Sequence, residues 1–71
     1  MDKVSATVIV NGQEVPLPNS ARLMDLLIHL KLDARYVLIE LNGEALFKDQ
    51  LPATKIAPGD RLEIVKPVAG G

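Results

Sequence analysis

Val4-Ser5-Ala6-Thr7-Val8-Ile9-Val10-Asn11-Gly12 is the stretch that decides the architecture. Val4, Ala6, Val8 and Val10 alternate with Ser5, Thr7 and Ile9, a period of two that indicates a strand with one buried face. Asn11-Gly12 stops it, because both central residues of a tight hairpin turn need positive φ, which Asn and Gly tolerate. A second strand therefore follows through Val15 and Leu17. Pro16 and Pro18 remove backbone donors from it, so it is expected to be short and to lie at a sheet edge.

Working outward, Asn19-Ser20 offers helix-capping side chains, and Leu23, Leu26, Leu27 and Leu30 fall on one helical stripe. The spacing predicts a helix from Ser20 or Arg22 to Leu30 or Lys31. Burying four leucines contributes about 6–12 kcal/mol before entropy, so this helix must cover the sheet and would not survive alone. Tyr36 to Leu41 reads as another strand, with Val37, Ile39 and Leu41 on one side and Tyr36, Leu38 and Glu40 on the other. Asn42-Gly43 marks a second turn, and Leu46-Phe47 suggests a short strand. After a less regular stretch through Leu51 and Ile56, Pro58-Gly59-Asp60 turns the chain into Arg61–Val65, with Leu62 and Ile64 inward. Pro67 ends the ladder.

Strand, strand, helix, strand, short strand, strand is an α+β order. Placing the first and last strands as parallel neighbours beneath the one helix satisfies every apolar face. The expected fold is therefore a β-grasp, ubiquitin-like: a mixed sheet of four to five strands packed under one helix. Residues 1–66 would form this domain and 67–71 a flexible tail.

Composition narrows the function. The 71 residues, 48% of them hydrophobic, suffice for one modest core. Without cysteine there is no disulfide framework, no thiolate metal site and no sulfur nucleophile of the chain's own. His29 is the single histidine and makes neither a metal site nor a triad, so no catalytic residue, bound metal or bound cofactor is expected. A formal charge of -1, no basic run, and Tyr36 and Phe47 as the only aromatics leave no nucleic-acid footprint. No apolar stretch near Met1 is long enough for a signal peptide or a membrane span, so a cytoplasmic protein is expected.

What remains is Lys66-Pro67-Val68-Ala69-Gly70-Gly71. Two glycines without side chains can thread a narrow channel and carry a carboxylate into a partner's active site. Pro67 stiffens the approach. A carboxylate becomes an electrophile only when its oxygen is made a leaving group, which calls for ATP and a partner enzyme to form an acyl adenylate. Sulfur replacing AMP would then yield a nucleophilic thiocarboxylate on Gly71, with Gly70, Ala69, Val68 and Pro67 as the arm.

Asn42-Gly43-Glu44, Gly59-Asp60-Arg61-Leu62-Glu63-Ile64-Val65 and Val68-Ala69-Gly70-Gly71 resemble the thiamine-biosynthesis sulfur carriers of the ThiS family, over nearly the whole chain. That resemblance implies adenylation of Gly71 by an E1-like enzyme of the ThiF type, with ATP used by that partner. Sulfur would come from a donor fed by a cysteine desulfurase. The thiocarboxylate would serve thiazole synthase, ThiG, acting on a deoxyxylulose-phosphate-derived imine. Two positions depart from the family's pattern: Arg22, where a Ser or Thr commonly caps the helix, and Leu51, where an aromatic is often seen. The Gly-Gly ending is also similar to the molybdopterin-synthase small subunit, MoaD, whose tail usually carries two prolines where this chain has Lys66-Pro67. A ubiquitin-like modifier transferring its terminus to lysines, and a plain interaction module, are further alternatives.

By strand parity Ile9, Leu38 and Val65 point away from the helix together with Glu40 and Glu63. A half-apolar sheet face of this kind is expected to dock the adenylating enzyme.

Overall fold

The computed structural model describes residues 6–67. β1 (Thr7–Val10) and β2 (Gln13–Pro16) form a hairpin, followed by α1 (Leu23–His29) and a 3-10 turn at Ala34–Tyr36. β3 (Leu38–Leu41) and β4 (Glu44–Leu46) form a second hairpin, and a 3-10 segment at Lys48–Ala53 leads to β5 (Arg61–Val65). The sheet order is β2-β1-β5-β3-β4. β5 lies parallel to β1 and antiparallel to β3, so the last strand occupies the centre of a five-stranded mixed sheet. This is the expected β-grasp, with β2 at the edge where Pro16 costs no ladder bond.

Both hairpins turn as their sequences dictate. Asn11 and Gly12 have φ of 50° and 86°, and Asn42 and Gly43 have 51° and 87°. These are the paired positive angles of a type I′ turn, whose twist matches that of the flanking strands. Pro58 and Gly59, the latter at φ 85°, make a further turn, closed by Asp60 N–H donating to the Ala57 carbonyl at 3.0 Å.

The core consists of Val8, Leu23, Leu26, Leu27, Val37, Ile39, Leu51, Ile56, Leu62 and Ile64. Alternation along β5 is complete: Leu62 and Ile64 are buried, while Arg61, Glu63 and Val65 are exposed. Leu51 and Ile56, which periodicity left unplaced, close the core beneath the 3-10 segment.

Four expectations need correction. Leu30 is only partly buried, so three leucines of the stripe, not four, are fully in the core. The helix is shorter than its pattern and is not capped by Asn19 or Ser20. Arg22 is its N-cap and makes no side-chain cap bond, while Ser20 Oγ accepts from Arg22 N–H at 3.2 Å. The helix entry is held by backbone instead. Leu23 N–H donates to the Thr54 carbonyl at 3.1 Å, and Ile56 N–H to the Ala21 carbonyl at 2.9 Å. The fourth strand is Glu44–Leu46, not Leu46-Phe47, because two-residue turn geometry pairs Leu41 with Glu44. Tyr36 closes the 3-10 turn rather than opening β3.

α1 ends in a Schellman arrangement. Leu32 N–H donates to the Leu27 carbonyl at 2.8 Å and Lys31 N–H to the Ile28 carbonyl at 3.0 Å, with Lys31 at φ 62° where glycine is usual.

Candidate functional site

The face of the sheet turned away from α1 carries the candidate site. Leu38 and Val65 are register partners across β3 and β5, and they are 61% and 55% exposed. The β3–β4 pairing of Ile39 with Leu46 places Phe47 beside Leu38 as the ladder runs out, and Phe47 is 71% exposed. Three large apolar side chains thus form a row from the residue just after β4 across β3 to β5, a concentration that exposed residues scattered singly do not produce. Ala45 and Leu46 line the same depression, with Glu40 and Glu63 along its side.

Glu40 and Glu63 are themselves register partners. Like charges opposite each other on a sheet face lie about 5 Å apart at Cβ and repel, and neither carboxylate makes an ion pair among the described residues. The row is therefore apolar with an unneutralised acidic border.

Leu38, Val65, Glu40 and Glu63, placed on one face by parity, are brought together. Ile9 shares their face but pairs with Arg61, four residues along β5 from Val65, hence about 13 Å away at strand rise. Phe47 lines the same depression and was not singled out from the sequence. Its signal lies in the Asn42-Gly43 turn: a two-residue loop sets the β3–β4 register and so brings Phe47 to Leu38. Pro67 is exposed just beyond β5. Val68, Ala69, Gly70 and Gly71, the expected arm and reactive end, lie outside the described residues, as does the greater part of the expected 67–71 tail.

Two asparagines brace β5. Asn11 Oδ1 accepts from Ile64 N–H at 2.8 Å while its Nδ2 donates to the Ile64 carbonyl at 3.0 Å. Its side-chain amide thereby extends the β1–β5 ladder past the end of β1. Asn42 Oδ1 accepts from Arg61 N–H at 2.9 Å and its Nδ2 donates to Asp60 Oδ1 at 3.1 Å. Asp60 Oδ2 accepts from Ala57 N–H at 2.8 Å, so this carboxylate is engaged in turn chemistry. The strand that leads to the tail is fixed from both sides.

His29 is exposed on α1 and Met24 is half-buried beside the core. Among the described residues no group of His, Cys, Asp and Glu is placed to hold a metal, and no helix is long and apolar enough to cross a membrane.

The sequence model of the ThiS family matches residues 7–71. The crystal structure of the thiamine biosynthesis protein ThiS from Geobacter metallireducens superimposes with a TM-score of 0.74 at 34% identity, covering 92% of this chain and 99% of that one. The solution structure of a thiamine biosynthesis protein from the same organism gives 0.73 at 34% identity, covering 92% and 87%. An uncharacterised protein, ycf40, of Trieres chinensis is 33% identical over 73 residues, spanning 100% of both chains. With the family matched from β1 to the last glycine and the same fold in relatives of one-third identity, the chain belongs to the ThiS family.

Proposed function

We propose that this protein is a sulfur carrier for thiazole formation in thiamine biosynthesis, with the Gly71 carboxylate as the group that is loaded and unloaded. The observation that carries this reading is the extent of the family match, which runs through Gly70-Gly71 on a β-grasp frame.

The chemistry follows from the carboxylate. One Gly71 oxygen attacks the α-phosphorus of ATP held by a ThiF-like adenylating enzyme, pyrophosphate leaves, and an acyl adenylate results. Hydrosulfide adding to the acyl carbon expels AMP and leaves the thiocarboxylate. A cysteine desulfurase supplies the sulfur at the persulfide level, which a thiol reduces to the sulfide state. The loaded terminus is then consumed by thiazole synthase, ThiG. The domain's own part is binding and presentation, and the carrier needs no catalytic side chain.

The row of Phe47, Leu38 and Val65 serves as the docking face, with Glu63 and Glu40 meeting basic groups of the partner. Its location supports this role, since Val65 ends β5 only six residues before Gly71. An extended arm of that length spans about 20 Å, enough to reach a buried active site while the domain stays on the partner's surface.

The test is to incubate the full chain with ATP, a sulfide source and the adenylating enzyme, then measure intact mass. Replacement of one oxygen by sulfur, localised to the fragment containing Gly71, is expected. A bare carboxylate under these conditions would sink the carrier reading, and an isopeptide bond from Gly71 to lysine would establish the modifier instead.

A further inference from the structure

We propose that the two Asn-Gly turns are deamidation sites that the native fold holds shut through its bonds to β5, so that opening of the fold exposes them to irreversible modification. The reaction needs no enzyme. The main-chain nitrogen of Gly12 attacks Cγ of Asn11, the new C–N bond closes a succinimide, and Nδ2 departs as ammonia with the proton that Gly12 nitrogen gives up. Water then opens the ring to aspartate or isoaspartate. Asn42 and Gly43 react in the same way. Glycine is the least hindered following residue because it carries no Cβ, and both pairs are Asn-Gly.

Ring closure requires the asparagine side chain to swing back onto its own main chain. In the fold each amide is instead held by β5 or its entry turn. Asn11 has both amide atoms on the Ile64 backbone, at 2.8 and 3.0 Å, and Asn42 has both on Arg61 and Asp60, at 2.9 and 3.1 Å. Each cyclisation must first break two hydrogen bonds to another strand or its entry turn, and those bonds are lost together when the sheet opens.

The product cannot go back. At position 11 a carboxylate oxygen would face the Ile64 carbonyl where Nδ2 now donates. At position 42 it would face the Asp60 carboxylate, an acceptor against an acceptor with like charge. Isoaspartate also inserts a methylene into a two-residue turn whose length sets the hairpin register. Both lesions fall on the bracing of β5, so a molecule that opens for long enough refolds with its central strand loosened at Arg61 or Ile64.

The experiment incubates the full chain in mildly alkaline buffer, native or in denaturing urea, and follows amide-to-acid conversion by peptide mapping at each turn. Conversion slower by about tenfold or more in the native protein is expected at both asparagines. The variant Asp60→Ala removes the partner of Asn42 Nδ2 and should accelerate Asn42 in the native protein while Asn11, in the same molecule, remains slow. Equal rates in native buffer and urea, or an Asn42 in Asp60→Ala that reacts no faster than in the parent, would overturn the proposal. The native-against-urea comparison stands whether or not the variant folds.

Discussion

Leu38 faces Val65 across β3 and β5, and both are more than half exposed on the side of the sheet away from the helix. A cross-strand pair left more than half exposed contributes little to folding, so the row these residues make with Phe47 is expected to carry binding. Leu38→Ala or Phe47→Ala should weaken association with the adenylating partner by about 2 kcal/mol, roughly thirtyfold. Stability should move by less than about 1 kcal/mol. Ile9→Ala, at the far end of the face, should change binding by less than about 0.5 kcal/mol, as residues outside a central cluster do. Titration calorimetry alongside urea melts separates the two effects, and unchanged affinity in both row variants would remove the docking role.

The acidic border makes a different kind of prediction. Glu40 and Glu63 oppose each other in register, so neutralising one removes a repulsion. Glu63→Gln should leave stability equal or raise it by about 0.2–1 kcal/mol. Association with a basic partner surface should be slower, and its rate less sensitive to salt. Stopped-flow association across a salt series is the measurement, and an unchanged salt slope would place the partner's charges elsewhere.

Lys31 sits at φ 62° immediately after α1, in the position a Schellman motif normally gives to glycine. A side-chain-bearing residue there costs about 1 kcal/mol relative to its relaxed backbone. Lys31→Gly keeps both closing hydrogen bonds and should stabilise the domain, with the gain reduced to about 0.5 kcal/mol by glycine's greater unfolded-state freedom. A urea midpoint that falls would show that the lysine side chain contributes packing that outweighs the strain.

The same residue explains part of what could be read in advance. Strand periodicity and two Asn-Gly pairs contain the sheet almost completely, because a period-two pattern and a two-residue turn are local facts. The helix ends are not local. Its start is set by Leu23 bonding to Thr54 and Ile56 bonding to Ala21, across some thirty positions, and its stop uses Lys31 instead of glycine. Leu51 was unplaced because a 3-10 segment has no amphipathic stripe, and Ile56 because it lies outside every helix and strand, yet both are buried. The part of the candidate face on β3 and β5 was legible by parity, as Leu38, Glu40, Glu63 and Val65. Phe47 required the β3–β4 register, which pairs strands and not neighbours.

Asp33 supplies a pH signature. Arg35 donates to its carboxylate from the side chain at 2.8 and 3.1 Å and from the backbone at 2.9 Å, which lowers its pKa from 3.8 to about 2. A depressed folded value means that the stabilisation is fully present above the unfolded value near 3.8 and is lost as pH falls through about 2. Because both side chains lie on the surface, the effect on unfolding is small and salt-sensitive. Carboxyl NMR titration should give the low midpoint in the parent and a return toward 3.8 in Arg35→Ala. A parent midpoint already at 3.8 would mean that the ion pair does not persist in solution.

The carrier reading makes its strongest demand on the last atom of the sequence. Adenylation needs a free carboxylate on Gly71 and a channel that admits a chain without side chains, so adding one alanine after Gly71 should abolish thiocarboxylate formation even though every described residue keeps its fold. Gly70→Ala should reduce loading by adding a Cβ where the arm must pass, while leaving a free terminus. The pair is informative together with affinity. The extended chain should still bind the adenylating enzyme through the exposed Phe47, Leu38 and Val65, competing with the parent at similar strength, because docking and chemistry are assigned to different parts of the molecule. Full loading of the alanine-extended chain would refute terminal chemistry. Loss of both loading and binding would instead make the tail, rather than the sheet face, the main source of affinity.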